Sequence, residues 1–410
     1  MSAAPAPLRF GVLGMGRAFT LMLPTFLGDA RVRLVAGFDP RASARSAFES
    51  VFGGRAYTSE QQVCQDPDVE WIYVATPHQL HLPHVELAAA HGKHVLVEKP
   101  LSISLEDGLR MVQACDRAGV RLIVGHSHSF NQPVLDAHQL IDSGAVGAVR
   151  MVQAMQYTDF LYRPRRPEEL DTRQGGGVVF SQAAHQVDVV RLLAGGRVQS
   201  VRARVGRWDA ARPTEGAYSA LLNFEGGAFA SLTYNGHGFF DTDRWMDNLG
   251  EMGQPKPPLS HQQTRARLAA ATDEAAEVAL KAERNFGGSA FTLPAPAQPK
   301  AFQHFGPVIV SCDRAHLRLT PLGVEVTDAQ GTRLLPSALP AVPRGEVIDE
   351  VWSVARDGAA PLHDGQWSLA TLEVCVAMLA SDAGARDMPL HHQVAPARAV
   401  PAVTADAHLR

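Results

Sequence analysis

Residues 8–19 of the chain read LRFGVLGMGRAF. The first six form a short apolar run that is typical of a buried β-strand. Three glycines, Gly11, Gly14 and Gly16, lie in or directly after this run, and a helical pattern extends from Ala18 to Leu27. Glycines permit a tight turn and the close approach of a ligand, and the helix start supplies free amides and the positive end of a dipole. The stretch therefore predicts a strand–turn–helix unit that binds a phosphate group.

A second apolar run, Val32 to Phe38, ends in Asp39. In dinucleotide-binding folds an acidic residue at about this distance contacts the ribose hydroxyls of NAD. Arg41 could meet the 2′-phosphate of NADP, but Asp39 would repel that phosphate, so the sequence favours NAD. Phe19 stands where the third glycine of the fingerprint is expected, so the helix must pack on the strand in another way. The predicted cofactor contacts of this unit are Gly11, Gly14, Gly16, Arg17, Ala18 and Asp39.

Strand and helix patterns continue to alternate up to residue 126. The further strands are Asp68 to Ala75, His94 to Val97 and Arg121 to Gly125, and the helices are His81 to His91 and Leu105 to Ala118. Such alternation predicts a doubly wound parallel sheet with helical crossovers. We assign residues 1–126 to an NAD(P)-binding Rossmann domain of α/β class.

Two neighbouring strands of this predicted sheet end in polar turns. One turn is Thr76-Pro77-His78, and the other is Glu98-Lys99-Pro100. Charged groups at the end of a buried strand are costly to desolvate unless they are paired or used. Pro100 restrains the backbone of Lys99. Ligands of open α/β sheets bind at the carboxyl edge of the strands, so Lys99 is a candidate functional amine.

The apolar period changes after about residue 126. Half-buried strands are predicted at 149–157, 198–207, 217–224, 228–234, 308–311, 316–320 and 324–327. They predict an α+β domain over 127–395, with a large, mostly antiparallel open sheet that has one face available for helices or a subunit partner. A segment at about 250–300, with a helix over Gln262 to Arg284, is interpreted as a surface insertion. A helix over Gly365 to Ala383 packs on the body, and 396–410 is a tail.

A glycine run at 175–177 precedes a predicted helix with three polar residues on one face. Ser181 and His185 are four residues apart, and Asp188 follows His185 by three. A histidine can titrate near neutral pH, and a neighbouring carboxylate would orient His185 and raise its pKa. This helix is the second candidate for acid–base chemistry.

The glycine turn, Ala75-Thr76-Pro77 with His81, Glu98-Lys99-Pro100 and the His185–Asp188 helix occur in an order that resembles the Gfo/Idh/MocA family of NAD(P)-dependent oxidoreductases. The resemblance covers nearly the whole chain. It implies that Lys99 and His185 are catalytic, beside the nicotinamide and the reacting carbinol. It also implies cofactor contacts from Thr76, Pro77, His81, Glu98 and Lys99.

Two departures from the family pattern bear on the substrate. Ser181 replaces an aspartate that is usual in sugar and inositol members, and His78 replaces an asparagine. Arginines, whose forks suit carboxylates, are clustered nearby. The predicted substrate-binding residues are Arg163, Arg165, Arg166, Arg173, Ser181 and His126. The chain resembles most the 4,5-dihydroxyphthalate dehydrogenase branch, which implies NAD-dependent oxidation of cis-4,5-dihydroxy-4,5-dihydrophthalate, a small anionic cyclic substrate.

Composition excludes other classes of protein. The net charge of −4 gives no electrostatic reason to bind nucleic acid or an anionic membrane. Four separated cysteines and an N-terminus without a leader pattern predict a soluble cytoplasmic protein. His126 and His128 lack a third ligand, so no metal is predicted. Two alternatives stay open: a sugar or inositol dehydrogenase, and a non-catalytic NAD-binding regulator. A homodimer or homotetramer through the second sheet is expected.

Overall fold

The computed structural model describes residues 5–125, 128–257, 260–294 and 298–397. Their strands form two sheets, one of six strands and one of nine. Within these ranges no helix combines the length and apolarity that crossing a bilayer requires. The N-terminal residues 1–4 and most of the predicted tail lie outside the described residues, as does His126.

The first sheet is parallel throughout and has the order β3-β2-β1-β4-β5-β6. This is the doubly wound order of dinucleotide-binding domains, so the predicted fold class is confirmed. The strands are β1 (Leu8–Leu13), β2 (Val32–Phe38), β3 (Arg55–Tyr57), β4 (Trp71–Val74), β5 (His94–Glu98) and β6 (Leu122–Gly125). The helices are α1 (Arg17–Gly28), α2 (Ala42–Phe52), α3 (Glu60–Gln65), α4 (His81–Ala90) and α5 (Leu105–Ala118).

Local sequence explains the clearest of these elements. Before α5, the Ser104 side chain accepts a hydrogen bond from the Asp107 amide, and acidic residues occupy the first turn. Gly119 ends the helix in the left-handed conformation. The short strand β3 and helices α2 and α3 lack an equally strong apolar period, and the sequence pattern did not predict them.

The second sheet is mostly antiparallel, as the sequence predicted. The exception is the parallel pair of β7 and β10. Its order is β14-β13-β12-β11-β7-β10-β9-β8-β15. The strands are β7 (Val149–Tyr157), β8 (Val198–Gly206), β9 (Ala217–Phe224), β10 (Phe229–Asn235), β11 (Val308–Cys312), β12 (Ala315–Thr320), β13 (Gly323–Asp328), β14 (Gly331–Pro336) and β15 (Met388–Pro389). The helices are α6 (Gln132–Asp142), α7 (Ala184–Leu193), α8 (Ser260–Ala269), α9 (Glu274–Ala282), α10 (Gly345–Trp352) and α11 (Gly365–Gly384).

The two faces of the second sheet have different surroundings. Helices α6, α7 and α11 cover one face and form a common core with its inward side chains. On the other face Leu221, Phe229 and Ile309 are 42%, 42% and 38% exposed. Because side chains alternate along a strand, each of these three lies opposite the covered core.

The insertion differs from its predicted form in two ways. It contains two short helices, α8 and α9, in place of one helix over Gln262 to Arg284. Both helices lie on the surface, but the chain after α9 is anchored in the first domain. Phe286 is fully buried, and its ring lies 5.1 Å from Phe19 and 6.2 Å from Phe52. Phe19, at the third fingerprint position, therefore packs on the insertion.

Replacing Phe286 with Ala should lower the free energy of unfolding by about 3–5 kcal/mol, because a fully buried aromatic ring would leave a cavity. Urea denaturation followed by circular dichroism measures the change. Leu293, on the same insertion and 46% exposed, is the matched control, and its replacement with Ala should have little effect. Equal stability of the two variants would refute the anchoring role of Phe286.

Candidate active site

The turn between β1 and α1 has the geometry of a phosphate cradle. Gly14 has a φ of 87°, and an added Cβ would lie 2.9 Å from the carbonyl oxygen of Ala75. Above Gly16 an added Cβ would meet only open space. Gly16 is the N-cap of α1 and no side chain caps the helix, so its first amides can bind an anion. Arg17 and Ala18 form the first turn, and the residues present fit a dinucleotide pyrophosphate.

Asp39 lies at the end of β2 where the ribose was expected, but its carboxylate is already engaged. It is 4% exposed; its Oδ2 accepts from the Met15 amide at 2.7 Å, and its Oδ1 accepts from Arg41 Nε at 2.9 Å. Arg41 is therefore partly neutralised and is directed toward Asp39. The pair fixes the acid at the edge of the cradle.

Two predicted cofactor contacts have packing roles in the structure. Gly11 lies inside β1, where an added Cβ would come within 2.7 Å of Val63 Cγ1. Its missing side chain makes room for α3 rather than for a ligand. His81 is fully buried, and its ring nitrogens lie 3.0 Å from the Pro100 carbonyl oxygen and 3.1 Å from that of Thr76. His81 thus joins the two polar turns from inside, and burial lowers its pKa to about 4.

Further contacts hold the two turns in place. Thr76 Oγ1 lies 3.0 Å from His84 Nδ1, and Pro77 precedes a short 3₁₀ turn. Glu98 Oε1 accepts from Tyr73 Oη at 2.5 Å. The two turns lie at the carboxyl ends of the adjacent strands β4 and β5, as the sequence indicated.

Lys99 points from the end of β5 to the second domain. Its Nζ donates to the carbonyl oxygen of Ser181 at 2.6 Å. Burial lowers the pKa of Lys99 to about 8, and the positive charges of Arg344 and Arg165 act in the same direction. An amine with this pKa exchanges a proton near neutral pH, as general acid–base catalysis requires.

The helix that carries His185 begins with a π-helical turn over Val179–Ala183. Ser181 lies in this turn and presents its carbonyl oxygen to Lys99, a contact that side-chain spacing alone did not predict. His185 is 5% exposed, and its ring centroid lies 4.6 Å from that of His128 and 5.2 Å from that of Phe305. The structure thus brings Lys99 against the His185 helix.

Asp188 faces helix α11. Its Oδ1 accepts from Trp367 Nε1 at 2.6 Å and from Thr371 Oγ1 at 2.8 Å. His363 Nε2 lies 3.9 Å from its Oδ2. α-Helical spacing predicted that Ser181, His185 and Asp188 share one face. The structure differs, because Ser181 lies in a π turn and the Oδ1 of Asp188 binds α11.

The four predicted arginines separate into two pairs. Each residue of the first pair has a carboxylate nearby: Arg166, whose side chain is 35% exposed, has its Nε 3.0 Å from Glu168, and the Arg173 side chain is 90% exposed beside Asp171. The exposure of Arg173 argues against a contact with substrate, whereas the substrate contact of Arg166 stays a prediction.

The other pair is linked to Lys99 by charge, since Arg165 acts on Lys99 directly and Arg163 contacts Glu251, whose charge also acts on Lys99. Arg163 Nε donates to Asp159 at 2.9 Å, and its Nη1 is 3.8 Å from Glu251. Arg165 is stacked 3.6 Å above the Phe160 ring. Burial lowers the pKa of Arg165 to about 10, although the carboxylate of Glu169 acts in the opposite direction.

Three residues of the site were missed or undervalued in the sequence. His128 is 2% exposed, and its Nε2 lies 3.4 Å from Glu251 Oε1. Glu251 comes from the start of the insertion, and Arg344 from the start of α10. No local motif marks Glu251 or Arg344, since they reach the site only through tertiary folding. Among the described residues no group of three or more potential metal ligands occurs.

Comparison with known proteins places this geometry in context. A family model described as the oxidoreductase family with an NAD-binding Rossmann fold matches residues 8–126, and the GFO/IDH/MocA C-terminal domain matches residues 134–254. The chain is 46% identical over 373 residues to the 1-carboxy-3-chloro-3,4-dihydroxycyclohexa-1,5-diene dehydrogenase of Comamonas testosteroni. This alignment covers 91% of this chain and 94% of the relative.

Solved structures agree on the fold. A crystal structure of a protein from Bordetella bronchiseptica RB50 superposes with a TM-score of 0.88 at 38% identity, over 94% of this chain and all of that one. The WlbA dehydrogenase from Bordetella pertussis, in complex with NADH and UDP-GlcNAcA, has a TM-score of 0.65 at 22% identity and covers 94% and 99% of the two chains. The second likeness concerns the fold alone.

Two glycine substitutions should separate cofactor binding from packing. Gly16→Ala should weaken NADH binding about tenfold with an unchanged melting temperature, because the new methyl group enters only the open cradle. Gly11→Ala should lower the free energy of unfolding by about 1–3 kcal/mol, because its methyl group is forced against Val63. Fluorescence titration with NADH and thermal denaturation measure the two effects. The interpretation fails if Gly11→Ala is as stable as the wild type.

Proposed function

Because this chain belongs to the Gfo/Idh/MocA family of NAD-binding oxidoreductases, we propose that it oxidises a cyclic cis-diol that carries a carboxylate. The observation that supports this most directly is the 46% identity, over 91% of this chain, to the Comamonas testosteroni relative, whose name describes a carboxylated dihydroxycyclohexadiene. The protein is an oxidoreductase; the diol and its carboxylate are our proposal for the substrate.

The charges around Lys99 support an anionic substrate. Arg163, Arg165 and Arg344 lie in the same region, and Ser181 stands where a carboxylate for sugar hydroxyls was expected. We propose cis-4,5-dihydroxy-4,5-dihydrophthalate as the specific substrate and 4,5-dihydroxyphthalate as the product. The aromaticity of that product would favour oxidation.

NAD+ supplies the hydride acceptor when it is bound at the cradle. In the proposed reaction Lys99 takes the proton of one ring hydroxyl as the adjacent C–H bond breaks and a carbonyl forms. Loss of the proton from the neighbouring ring carbon, and its return to the carbonyl oxygen, then give the aromatic diol. Ser181 aims the Lys99 amine through its carbonyl oxygen, and His185 lies on the next turn of the same helix. We propose His185 as the second acid–base group.

The coenzyme is proposed to be NAD rather than NADP. A 2′-phosphate at the end of β2 would meet the carboxylate of Asp39, and the guanidinium that could offset this repulsion is bound to that carboxylate. The pair Asp39–Arg41 therefore presents little net positive charge to a phosphate.

We propose that the open face of the second sheet is a subunit interface. Leu221, Phe229 and Ile309 project from three strands of this face, and each is more than a third exposed. Apolar side chains grouped on an open sheet face are typical of association surfaces. A homodimer or homotetramer formed through this face would bury them.

Lys99→Ala should reduce NADH production from the dihydrodiol by about 10²–10⁴-fold, because the proton acceptor is removed. NADH binding should persist. In the wild type the rate should rise with pH through about 8, since the unprotonated amine accumulates above its lowered pKa. Steady-state assays from pH 6 to 10 measure both effects, and Lys300→Ala, at an exposed position, is the control. Turnover of myo-inositol without turnover of any dihydrodiol would overturn the proposed substrate.

Charge placed on the open face should dissociate the oligomer. The double variant Phe229→Glu and Ile309→Glu should elute as a monomer in size-exclusion chromatography with light scattering, because buried carboxylates are costly. Leu293→Glu, on the insertion, should leave the mass of the particle unchanged. A monomeric wild type, or a double variant with the wild-type mass, would contradict this interface.

A further inference from the structure

Arg344 is a buried arginine with a free guanidinium edge. It is 8% exposed; its Nε donates to Gln303 Oε1 at 3.2 Å, and its Nη2 contacts Met252 Sδ at 3.5 Å. Among the described residues no carboxylate lies within 4 Å of the guanidinium. Its hydrogen bonds to these residues use Nε and Nη2 and leave Nη1 without an acceptor. Burying such a charge is unfavourable unless a counter-charge completes the site.

The backbone of Arg344 is also unfavourable for its residue type. Its φ of 56° and ψ of 24° are left-handed, and it is the N-cap of α10 without a side-chain capping bond. Asn, Asp, Ser or Gly would suit this position better, and a non-glycine residue held there costs about 1 kcal/mol or more. Strained residues of this kind cluster at ligand-binding sites.

The neighbours of Arg344 place it at the reacting end of the site. Met252 follows Glu251, and the amide of His304, next to Gln303, donates to the Glu251 carbonyl at 3.1 Å. The charge of Arg344 acts on Lys99 and on His128. The guanidinium therefore shares one region with the groups proposed to contact substrate.

Three of the other arginines in this region have a carboxylate within 4 Å, and Arg17, which has none among the described residues, is exposed. Arg163 is bound to Asp159 at 2.9 Å, and Arg165 lies 3.9 Å from Glu169. Arg212, behind them, is bound to Glu277 at 2.8 Å. Of these buried and half-buried arginines, Arg344 is therefore the one with no carboxylate within 4 Å among the described residues. Its charge is left for a ligand.

We propose that Arg344 is a carboxylate-binding residue that determines substrate specificity, with the edge formed by Nη1 and Nη2 as a fork for the ring carboxylate. This inference rests on the proposed function, because it assigns a position to the carboxylate of that substrate. It assigns a carboxylate contact to a residue about 170 positions later in the chain than the arginines that the sequence predicted.

Two product-like probes that differ only in charge test the proposal. 3,4-Dihydroxybenzoate carries the carboxylate and catechol lacks it; both are titrated into the NADH complex by isothermal calorimetry. The wild type should bind 3,4-dihydroxybenzoate more tightly than catechol. Arg344→Gln should weaken the 3,4-dihydroxybenzoate complex about 10- to 100-fold and the catechol complex less than about twofold. Arg344→Lys keeps the charge but loses the fork, so its affinity for 3,4-dihydroxybenzoate should lie between those of the wild type and Arg344→Gln.

Arg173→Gln is the matched control, since it makes the same substitution at a surface arginine and should change neither affinity. NADH affinity and melting temperature report the integrity of each variant. A second readout is the pH–rate profile, in which Arg344→Gln should move the rise in rate to higher pH, because a positive charge near Lys99 has been removed.

The outcomes separate this inference from the proposed function. If the wild type binds catechol as tightly as 3,4-dihydroxybenzoate, the Arg344 subsite is wrong while a diol substrate stands. If Arg344→Gln weakens both complexes equally, or neither, Arg344 only braces the insertion through Gln303 and Met252. If the wild type binds neither probe, the proposed function fails and the subsite with it.

Discussion

A lysine whose amine is buried at the end of a strand needs an acceptor, and the contact between Lys99 Nζ and the Ser181 carbonyl supplies it. The carbonyl is available because residues 179–183 form a π-helical turn, a deviation from α-helix that is frequent at functional sites. One hydrogen bond therefore connects the carboxyl edge of the first sheet to the His185 helix of the second domain. The same burial that makes this bond necessary lowers the pKa of Lys99 to about 8.

The insertion supplies much of the charge that makes this burial tolerable. Glu251 lies between His128 and Arg163, at 3.4 and 3.8 Å. Burial alone would raise the pKa of Glu251, but these neighbours outweigh it and hold the carboxylate ionised. On α9, Glu277 binds Arg212 and the amide of Arg165, and Lys281 pairs with Glu169. A segment whose sequence suggests a solvated surface helix thus sets the electrostatics of the site and holds the arginine loop.

The features of the fold and the site that the sequence predicted are those whose cause lies in residues close together along the chain. The parallel sheet follows from alternating apolar runs and glycine turns, and Lys99 was identified because a charge at the end of a buried strand is costly. Glu251 and Arg344 lie about 150 and 245 residues from Lys99, and no spacing along the chain indicates their approach. Clustering in sequence does not specify the direction of a side chain: Arg173 points to solvent beside Asp171, whereas Arg165 is stacked on the Phe160 ring. Gly11 was misassigned because a glycine needed for packing and one needed for a ligand look the same in sequence.

The two ends of the His185 helix differ in how their charges are compensated. Beyond His185, the carboxylate of Asp188 is held by Trp367 and Thr371, and His363 beside it is bound to Glu350 at 2.8 Å. Although burial opposes it, the carboxylates around His363 raise its pKa, so this end has its counter-charges within the protein. At the Lys99 end the guanidinium of Arg344 has no such partner among the described residues. An enzyme that balances its buried charges at one end and leaves a cation unpaired at the other gains selectivity for a ligand that brings the missing anion. The same unpaired cation lowers the pKa of Lys99, so binding of a carboxylate there would also raise the basicity of the amine that accepts the proton.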